Sequence, residues 1–370
     1  MTMRIPLGPD EFDITILENL IRTAYPNVRL ASISVVDAAL SSDGDERVST
    51  ARRIAFDVTY TDDSEPDLPS RLMVKVARPE FREIPLYDNE VAVYTRIGKE
   101  LPIRVPRSFG GVRDRDSATF GLVLEDLRPM HATFEDVLSP LTADDTAALL
   151  DQLAALHAAY WESSRFKDDL EWVQPHISGP IHELFTSEHG VALLINHEVA
   201  THQFKRELVQ ATGETTASLR AKVARVQAHQ AALPCTLLHG DAHIGNTYRL
   251  PDGRRGYLDL QLTARGFCMH DVSYTIVTSL SVEDRRAHER DLIAGYRQRL
   301  VELGVAAPPS LEELLYEHRL AMVWCLYIGW LTSPTENYGW EITVANHIRI
   351  STAYRDLASS TAVEALPVGA

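Results

Sequence analysis

Strand-like and helical hydrophobic patterns occupy different parts of this 370-residue chain. In the first third, apolar runs typical of β-strands cover residues 30–36, 54–60, 71–77 and 119–124, and helical spacing covers residues 11–25 and 82–100. Helical periods dominate from residue 142 onward, and one short strand-rich segment, 236–262, interrupts them. Regular alternation of strands and helices, which a doubly wound sheet requires, is absent. The order predicts an α+β fold with a small strand-rich N-terminal lobe and a larger, mostly helical C-terminal lobe.

The second part of the chain is predicted to be built from long helices. Apolar residues recur at helical spacing over residues 142–161, 216–233, 271–279, 282–303, 311–331 and about 336–357. The last segment, 358–370, consists mainly of small residues, and we expect it to be a loose tail.

Composition and charge argue against several classes of protein. A hydrophobic content of 45% and a charged content of 24% are typical of globular proteins. The net charge of −16 and the lack of a basic face indicate no nucleic-acid partner. Three widely spaced cysteines do not suggest a disulfide framework. The longest apolar stretch, 320–331, is too short to span a bilayer, and residues 1–10 lack an apolar run of signal-peptide length, so we expect a cytoplasmic protein without a membrane partner.

The segment 237–262 contains the most informative polar residues. Asp241 is followed five residues later by Asn246, and Asp259 lies at the end of a short apolar strand. Phosphoryl transfer needs a carboxylate beside the attacking hydroxyl group and oxygen ligands for magnesium, and an Asp-x-x-x-x-Asn loop with a later aspartate supplies both. The polar turn at 251–253 would fold Asp259 back beside Asn246. Aspartate and asparagine are also frequent in loops, so this pattern alone equally fits an ordinary loop.

Two features upstream favour a nucleotide site. Lys75 lies within a β-like apolar run, and Glu90 follows fifteen residues later in a helical segment. This order suits a lysine–glutamate ion pair that holds the lysine on nucleotide phosphates. The second feature is the polar link between the first two strands, where Gly44 would let backbone N–H groups approach phosphates and Ser49 would add a hydroxyl group. The link also fits a plain turn.

Together these segments resemble the aminoglycoside phosphotransferase and choline kinase superfamily, and most closely its ecdysteroid-kinase-like branch. The resemblance runs from about residue 40 to residue 280. Its motifs are the loop 239–246, the strand end 258–261, the link 44–49, Lys75, the helix with Tyr87, Glu90 and Tyr94, the strand end 124–127, and the helical segment 153–158. It implies a two-lobed protein-kinase-like fold, ATP or GTP as phosphoryl donor, and Mg²⁺. By this resemblance residues 1–127 form the nucleotide-binding lobe, and residues 128–370 form the catalytic and substrate-binding lobe.

The resemblance also implies a role for each candidate residue. Asp241 would accept the proton of a small-molecule hydroxyl group, and Asn246 and Asp259 would ligate magnesium. Lys75, positioned by Glu90, would contact the α- and β-phosphates. Residues 124–126, with Glu125 at their centre, would lie at the adenine-binding hinge. His239 is interpreted as a structural member of the loop, and Asp271 as the anchor of the catalytic loop to the larger lobe.

Two other functions stay open at this point. His239, His270 and Asp271 superficially form a pattern that could bind the metal of a phosphohydrolase. A kinase fold could also bind nucleotide without catalysis. Each hypothesis has a test: replacing His270 abolishes activity only in a phosphohydrolase, and nucleotide binding without turnover would indicate the silent kinase fold.

The sequence does not identify the small molecule that would accept the phosphoryl group. An aromatic cluster, Trp324, Tyr327 and Trp330, lies at helical spacing and fits either a hydrophobic core or an apolar acceptor wall. Sterol-like alcohols, hydroxyacyl compounds, sugars, choline-like amines and antibiotics are all candidate acceptors. The choice between ATP and GTP and the oligomeric state are open as well.

Overall fold

A computed structural model describes residues 4–37, 50–62, 68–329, 331 and 335–367. The chain divides into two compact units. Unit 1 consists of Met1–Thr133 and Arg249–Gln261, and unit 2 consists of Phe134–Tyr248 and Leu262–Ala370. The division into a nucleotide-binding lobe, 1–127, and a catalytic lobe, 128–370, stays a prediction about function.

Unit 1 is built on an antiparallel sheet. Its strands are β1 (Leu30–Asp37), β2 (Ala51–Tyr60), β3 (Arg71–Ala77), β4 (Ser108–Asp114) and β5 (Thr119–Glu125), in the spatial order β1-β2-β3-β5-β4. Four of them coincide with predicted strands. The sequence missed β4, whose signal is weakened by Gly110 and Gly111. Gly110 has a φ of 130°, and a Cβ there would lie 2.3 Å from the carbonyl oxygen of Leu20, so this close contact requires glycine.

Two helices accompany this sheet. Helix α1 (Ile14–Arg22) begins at Asp13, whose side chain accepts a hydrogen bond of 2.8 Å from the Ile16 N–H. Helix α2 (Leu86–Ala92) starts four residues later than predicted because Pro85 occupies its N-cap, and a π-helical turn, Val93–Ile97, continues it.

The two faces of the sheet differ in character. Side chains of alternate residues on β2 and β3 pack with α1 in a hydrophobic core that includes Ile54, Phe56, Leu72, Val74 and Val76. Because successive side chains of a strand point to opposite faces, Arg53 and Lys75 lie on the other face. They are direct neighbours in the antiparallel register of β2 and β3.

Unit 2 is mostly helical. Its helices are α3 (Ala143–Ala159), α4 (Pro180–Thr186), α5 (Val191–Thr201), α6 (Gln203–Ala211), α7 (Thr216–Gln230), α8 (Met269–Ser279), α9 (Val282–Glu302), α10 (Leu311–Tyr327), α11 (Thr335–Tyr338), α12 (Trp340–Asp356) and α13 (Ser359–Glu364). Short strands complete the chain: β6 (Thr133–Phe134), β7 (Thr236–Leu238), β8 (Thr247–Arg249), β9 (Arg255–Tyr257) and β10 (Ala264–Gly266). Strands β7 and β10 pair antiparallel within unit 2.

The expectation of a loose C-terminal tail is wrong for residues 359–364. These residues form α13, which contacts α7, α10 and α12. Ala362 and Val363 are buried in the core of unit 2. Small apolar residues gave little helical periodicity, but burying them against three helices stabilises the segment.

Among the helices of the described ranges, none is long and apolar enough to cross a membrane.

Candidate active site

Lys75 is more deeply buried than any other lysine or arginine among the described residues of unit 1. It is 2% exposed, and its Nζ donates hydrogen bonds to Oε1 of Glu90 at 2.7 Å and to Oδ1 of Asp259 at 3.0 Å. The lysine–glutamate pair is therefore present in the structure. Asp259, the residue predicted to bind magnesium, joins the same pair.

Two carboxylates share the ammonium group of Lys75. Glu90 and Asp259 both contact it, and Oε2 of Glu90 is buried without a hydrogen-bond partner in the described part of the chain. Burial raises the pKa of Glu90 to about 7, although the positive charge of Lys75 lowers it. A second cation, Arg53, offsets the charge of Asp259, because its Nη2 lies 3.9 Å from Oδ2 of that carboxylate.

The position of Asp259 is set by the segment around it. Its φ is 60°, a left-handed conformation that aspartate tolerates better than most residues. Two residues further on, the backbone carbonyl of Gln261 accepts a hydrogen bond of 2.9 Å from Nδ2 of Asn89, and the side chain of Gln261 accepts one of 3.2 Å from Thr50. These contacts attach residues 259–261 to α2 and to the start of β2.

In unit 2, the loop that contains Asp241 is held by a buried carboxylate. Asp271 is 0% exposed and accepts hydrogen bonds from the backbone N–H of His239 at 2.6 Å and of Gly240 at 2.9 Å. Nε2 of His157 lies 3.3 Å from the same carboxylate. Asp271 therefore anchors the loop, as the family resemblance implies.

Electrostatics keep this anchor ionised. Burial on its own raises the pKa of Asp271, but the hydrogen bond with His157 and the influence of neighbouring imidazoles outweigh it, so the pKa lies below its ordinary value. The ionised carboxylate makes strong hydrogen bonds to backbone N–H groups. The start of the loop is consequently rigid on the side that faces α8.

Gly240 occupies the tightest point of the loop. Its φ is 86°, and a Cβ at this position would lie 1.8 Å from the carbonyl oxygen of Leu262. Its own carbonyl oxygen accepts a hydrogen bond of 3.0 Å from Nε2 of His270. Nδ1 of His239 accepts one of 3.2 Å from the Asp241 N–H. Both histidines are thus engaged in shaping the loop, which favours a structural role over metal binding.

Asp241 and Asn246 are both half-buried and contact each other within the loop. Nδ2 of Asn246 donates to Oδ2 of Asp241 at 3.0 Å and to its backbone carbonyl at 2.9 Å. Nδ1 of His243 accepts a hydrogen bond of 3.0 Å from the Gly245 N–H, so the neutral ring carries its proton on Nε2, which is 3.8 Å from Oδ2 of Asp241. The hydrogen bond from Asn246 therefore orients the Asp241 carboxylate within the loop.

Each unit holds donor atoms of the kind that magnesium prefers. In unit 1, Asp259 offers carboxylate oxygen, and in unit 2 the amide nitrogen of Asn246 is committed to Asp241, which leaves the amide oxygen for a cation. Magnesium prefers oxygen ligands and is commonly bound by one or two protein groups together with phosphate oxygens. No cluster of three or more His, Cys, Asp or Glu residues suited to a metal exists in the part of the chain that the structure describes.

A sequence profile of the ecdysteroid kinase-like family matches residues 43–304, more than half of the chain. The chain belongs to this family. Comparison with the sequences of curated proteins gives no significant match.

Solved kinases share the fold of this ecdysteroid kinase-like protein. Choline kinase from Cryptosporidium parvum Iowa II is 11% identical, with 95% of this chain and 98% of that chain covered and a TM-score of 0.54. An ethanolamine kinase from Plasmodium vivax is 10% identical, with 90% and 84% covered and a TM-score of 0.50. At such identities the similarity concerns the fold, and it confirms the predicted α+β, two-lobed protein-kinase-like class.

Other predicted residues of the ecdysteroid kinase-like protein lie elsewhere or outside the described ranges. Glu125 ends β5, and its Oε2 accepts a hydrogen bond of 3.3 Å from the Arg107 N–H. Its place at a nucleotide hinge stays a prediction. Gly44 and Ser49 fall outside the described residues, as does Trp330.

The aromatic residues of α10 separate into two environments. Tyr327 is 1% exposed and belongs to the core of unit 2. Trp324 is only partly buried, and its indole ring lies 4.9 Å from the ring of His176 and 5.1 Å from that of His270. Of these two residues, only Trp324 keeps an exposed surface, and its place in an acceptor wall stays a prediction.

Arg53 lies close to Asp259, a position that the sequence does not predict. Its Nη2 lies 3.9 Å from Oδ2 of Asp259, and its side chain is 41% exposed. Arginine pairs on strands are commonly surface charges, and the residues next to Arg53 in the sequence give no sign that it differs from these. The alternation of side chains along β2 could have separated Arg53 from a surface charge. Residues 54, 56 and 58 face the core, so residues 51, 53 and 55 face the opposite side of the sheet.

The raised pKa of Glu90 predicts a pH-dependent stability. Glu90 binds its proton more tightly in the folded than in the unfolded chain, so its contribution is present below pH 4.5 and is lost as the pH rises through about 7. Between pH 5 and 8, we expect the free energy of unfolding of the wild type to fall by on the order of 2 kcal/mol relative to Glu90→Gln. Urea unfolding at several pH values measures this difference.

The matched control is Glu83→Gln, because the Glu83 side chain is 80% exposed in the same unit. Its unfolding free energy should follow the wild type at every pH. Parallel profiles for the wild type and Glu90→Gln would show that Glu90 titrates at its ordinary value.

Proposed function

We propose that this protein transfers the γ-phosphoryl group of ATP or GTP to a hydroxyl group of a small molecule. The observation that supports this most is the buried Lys75, held at 2.7 Å by Glu90 and at 3.0 Å by Asp259. A buried lysine oriented by two carboxylates suits the binding of nucleotide phosphates. Membership of the ecdysteroid kinase-like family supports the same activity class.

The chain's own residues account for the proton and the charge in this reaction. The acceptor oxygen forms a bond to the γ-phosphorus while the bond to the leaving nucleoside diphosphate breaks, and the hydroxyl proton moves to the carboxylate of Asp241. Asn246 and the anchored loop hold that carboxylate in place. Lys75 binds the α- and β-phosphates, and Glu90 fixes its direction. Magnesium, with Asn246 and Asp259 as proposed ligands, would neutralise charge on the phosphates.

Turnover against a library of alcohols tests the proposal. The library contains sterol-like alcohols, sugars, hydroxyacyl compounds, amino alcohols and aminoglycosides, and mass spectrometry detects addition of one phosphoryl group. We expect a product only when the nucleotide and magnesium are both present. Tight nucleotide binding without any product would instead favour the alternative, a kinase fold that binds nucleotide without catalysis.

Lys75→Met is expected to lower kcat/KM by roughly 10²–10³-fold, because it removes one charged donor to the phosphates. The fold should survive, since Glu90, with its raised pKa, can become protonated when its partner is lost. Steady-state kinetics with the identified acceptor measure the effect. Lys99→Met, which removes an exposed lysine of the same unit, should keep wild-type kinetics. Unchanged kcat/KM in Lys75→Met would contradict the assigned role.

A further inference from the structure

We infer that Arg53 is a second cation for the phosphate chain of the nucleotide, acting beside Lys75. This inference rests on the proposed function. Arg53 on β2 and Lys75 on β3 are opposite each other in the antiparallel register, on the face of the sheet away from α1. Opposed residues of an antiparallel pair have Cα atoms about 5 Å apart, so the two cations belong to one local site.

Both cations converge on the same carboxylate. Oδ1 of Asp259 accepts the hydrogen bond of Lys75 at 3.0 Å, and Oδ2 lies 3.9 Å from Nη2 of Arg53. A phosphate that binds Lys75 would therefore lie beside the guanidinium group of Arg53 as well. A planar guanidinium group binds phosphate oxygens in pairs, which a lysine cannot do.

The two cations differ in how firmly they are held. The Lys75 side chain is 3% exposed and has a second carboxylate partner, Glu90, whereas the Arg53 side chain is 41% exposed and its pair with Asp259 is long. Exposed ion pairs of this kind add little to stability. Arg53 can therefore exchange its contact with Asp259 for a phosphate at little cost, which makes a purely structural role a poor explanation of its position.

The neighbouring arginine provides a matched control. Arg52 lies on the same strand but faces the core side, where its Nη1 donates a hydrogen bond of 2.7 Å to the carbonyl oxygen of Leu7. It has the same charge and a similar place in the chain. If Arg53 acted only through the net charge of unit 1, replacing either arginine would have the same effect on nucleotide binding.

Two cations on adjacent strands match a chain of phosphates better than a single phosphate. The effect of removing Arg53 should therefore grow with the number of phosphates in the ligand. This dependence separates phosphate binding from a structural role, because a distorted sheet would weaken binding of every nucleotide alike.

Isothermal titration calorimetry of the full chain, without acceptor, tests the inference. The probes are ATP and GTP, each in the presence and absence of magnesium, and the monophosphate of whichever binds more tightly. We expect Arg53→Gln to raise the Kd for the triphosphate about tenfold and that for the monophosphate less than about twofold. Arg53→Lys should be intermediate because it keeps the charge and loses the paired hydrogen bonds. Arg52→Gln should bind like the wild type.

Each other outcome has a defined meaning. Wild-type affinity for the triphosphate in Arg53→Gln overturns the inference and leaves the proposed function intact. Equal weakening of triphosphate and monophosphate binding also overturns it, since that pattern indicates structural damage, which a thermal melt of the variant would reveal independently. A wild type that binds neither ATP nor GTP refutes the proposed function and the inference with it.

Discussion

Asp241→Asn is expected to lower kcat for phosphoryl transfer by about 10⁴-fold, the upper end of what general base catalysis contributes. The amide cannot accept the proton of the acceptor hydroxyl group. Its oxygen can still accept the hydrogen bond that Nδ2 of Asn246 donates to Oδ2 of Asp241, so the loop geometry should be retained. Rapid-quench kinetics with saturating nucleotide and acceptor measure the chemical step.

The same variant should keep the nucleotide affinity of the wild type within about threefold, because Lys75 and Glu90 are unchanged. Asp252→Asn is the matched control, since Asp252 is an exposed aspartate in the turn after the loop, where its side chain accepts hydrogen bonds from the backbone N–H and the guanidinium group of Arg254. It should have wild-type activity. A fully active Asp241→Asn enzyme would show that another group accepts the proton.

The second large effect concerns stability. We expect Asp271→Asn to lower the free energy of unfolding by about 3–5 kcal/mol, as is typical when one partner of a buried ionic network is removed. The substituted amide has one accepting oxygen, whereas the carboxylate accepts from both His239 and Gly240. At least one backbone N–H would then face an NH₂ group. Urea unfolding at pH 7 measures the loss.

The pH of this experiment matters because the pKa of Asp271 is lowered in the folded chain. Its stabilisation is present above the ordinary value of 3.8 and is lost only as the pH falls below that value. Asp168→Asn, which changes an exposed aspartate of the same unit, should stay within about 0.5 kcal/mol of the wild type. A loss of less than 1 kcal/mol in Asp271→Asn would show that the loop has another anchor.

Local patterns in the sequence predicted a large part of this protein. Strands β1, β2, β3 and β5 and the long helices of unit 2 follow from hydrophobic periodicity, which depends on neighbouring residues alone. The pairing of Lys75 with Glu90 was predictable as well, since only fifteen residues of strand and helix separate them. The family resemblance from the motifs at 239–246 and 258–261 is confirmed by the family match.

Weak local signals account for the elements that were missed. Strand β4 contains two adjacent glycines, and helices α4, α5 and α6 are short, with seven, eleven and nine residues. Helix α13 consists of small residues that are stabilised by burial against other helices. Such segments adopt their conformation because tertiary packing supplies the stabilisation that their intrinsic helix or strand propensity does not.

Tertiary structure determines which residues surround Lys75. Asp259 contacts Lys75 across 184 residues of sequence, and Arg53 approaches the same carboxylate from the adjacent strand. The sequence predicts Asp259 as a site residue, but it does not single out Arg53. Periodicity tells which residues share a face of one element, a property of a few consecutive residues. Which faces meet depends on how the whole intervening chain packs, and burial of Lys75 between two carboxylates arises only from that packing.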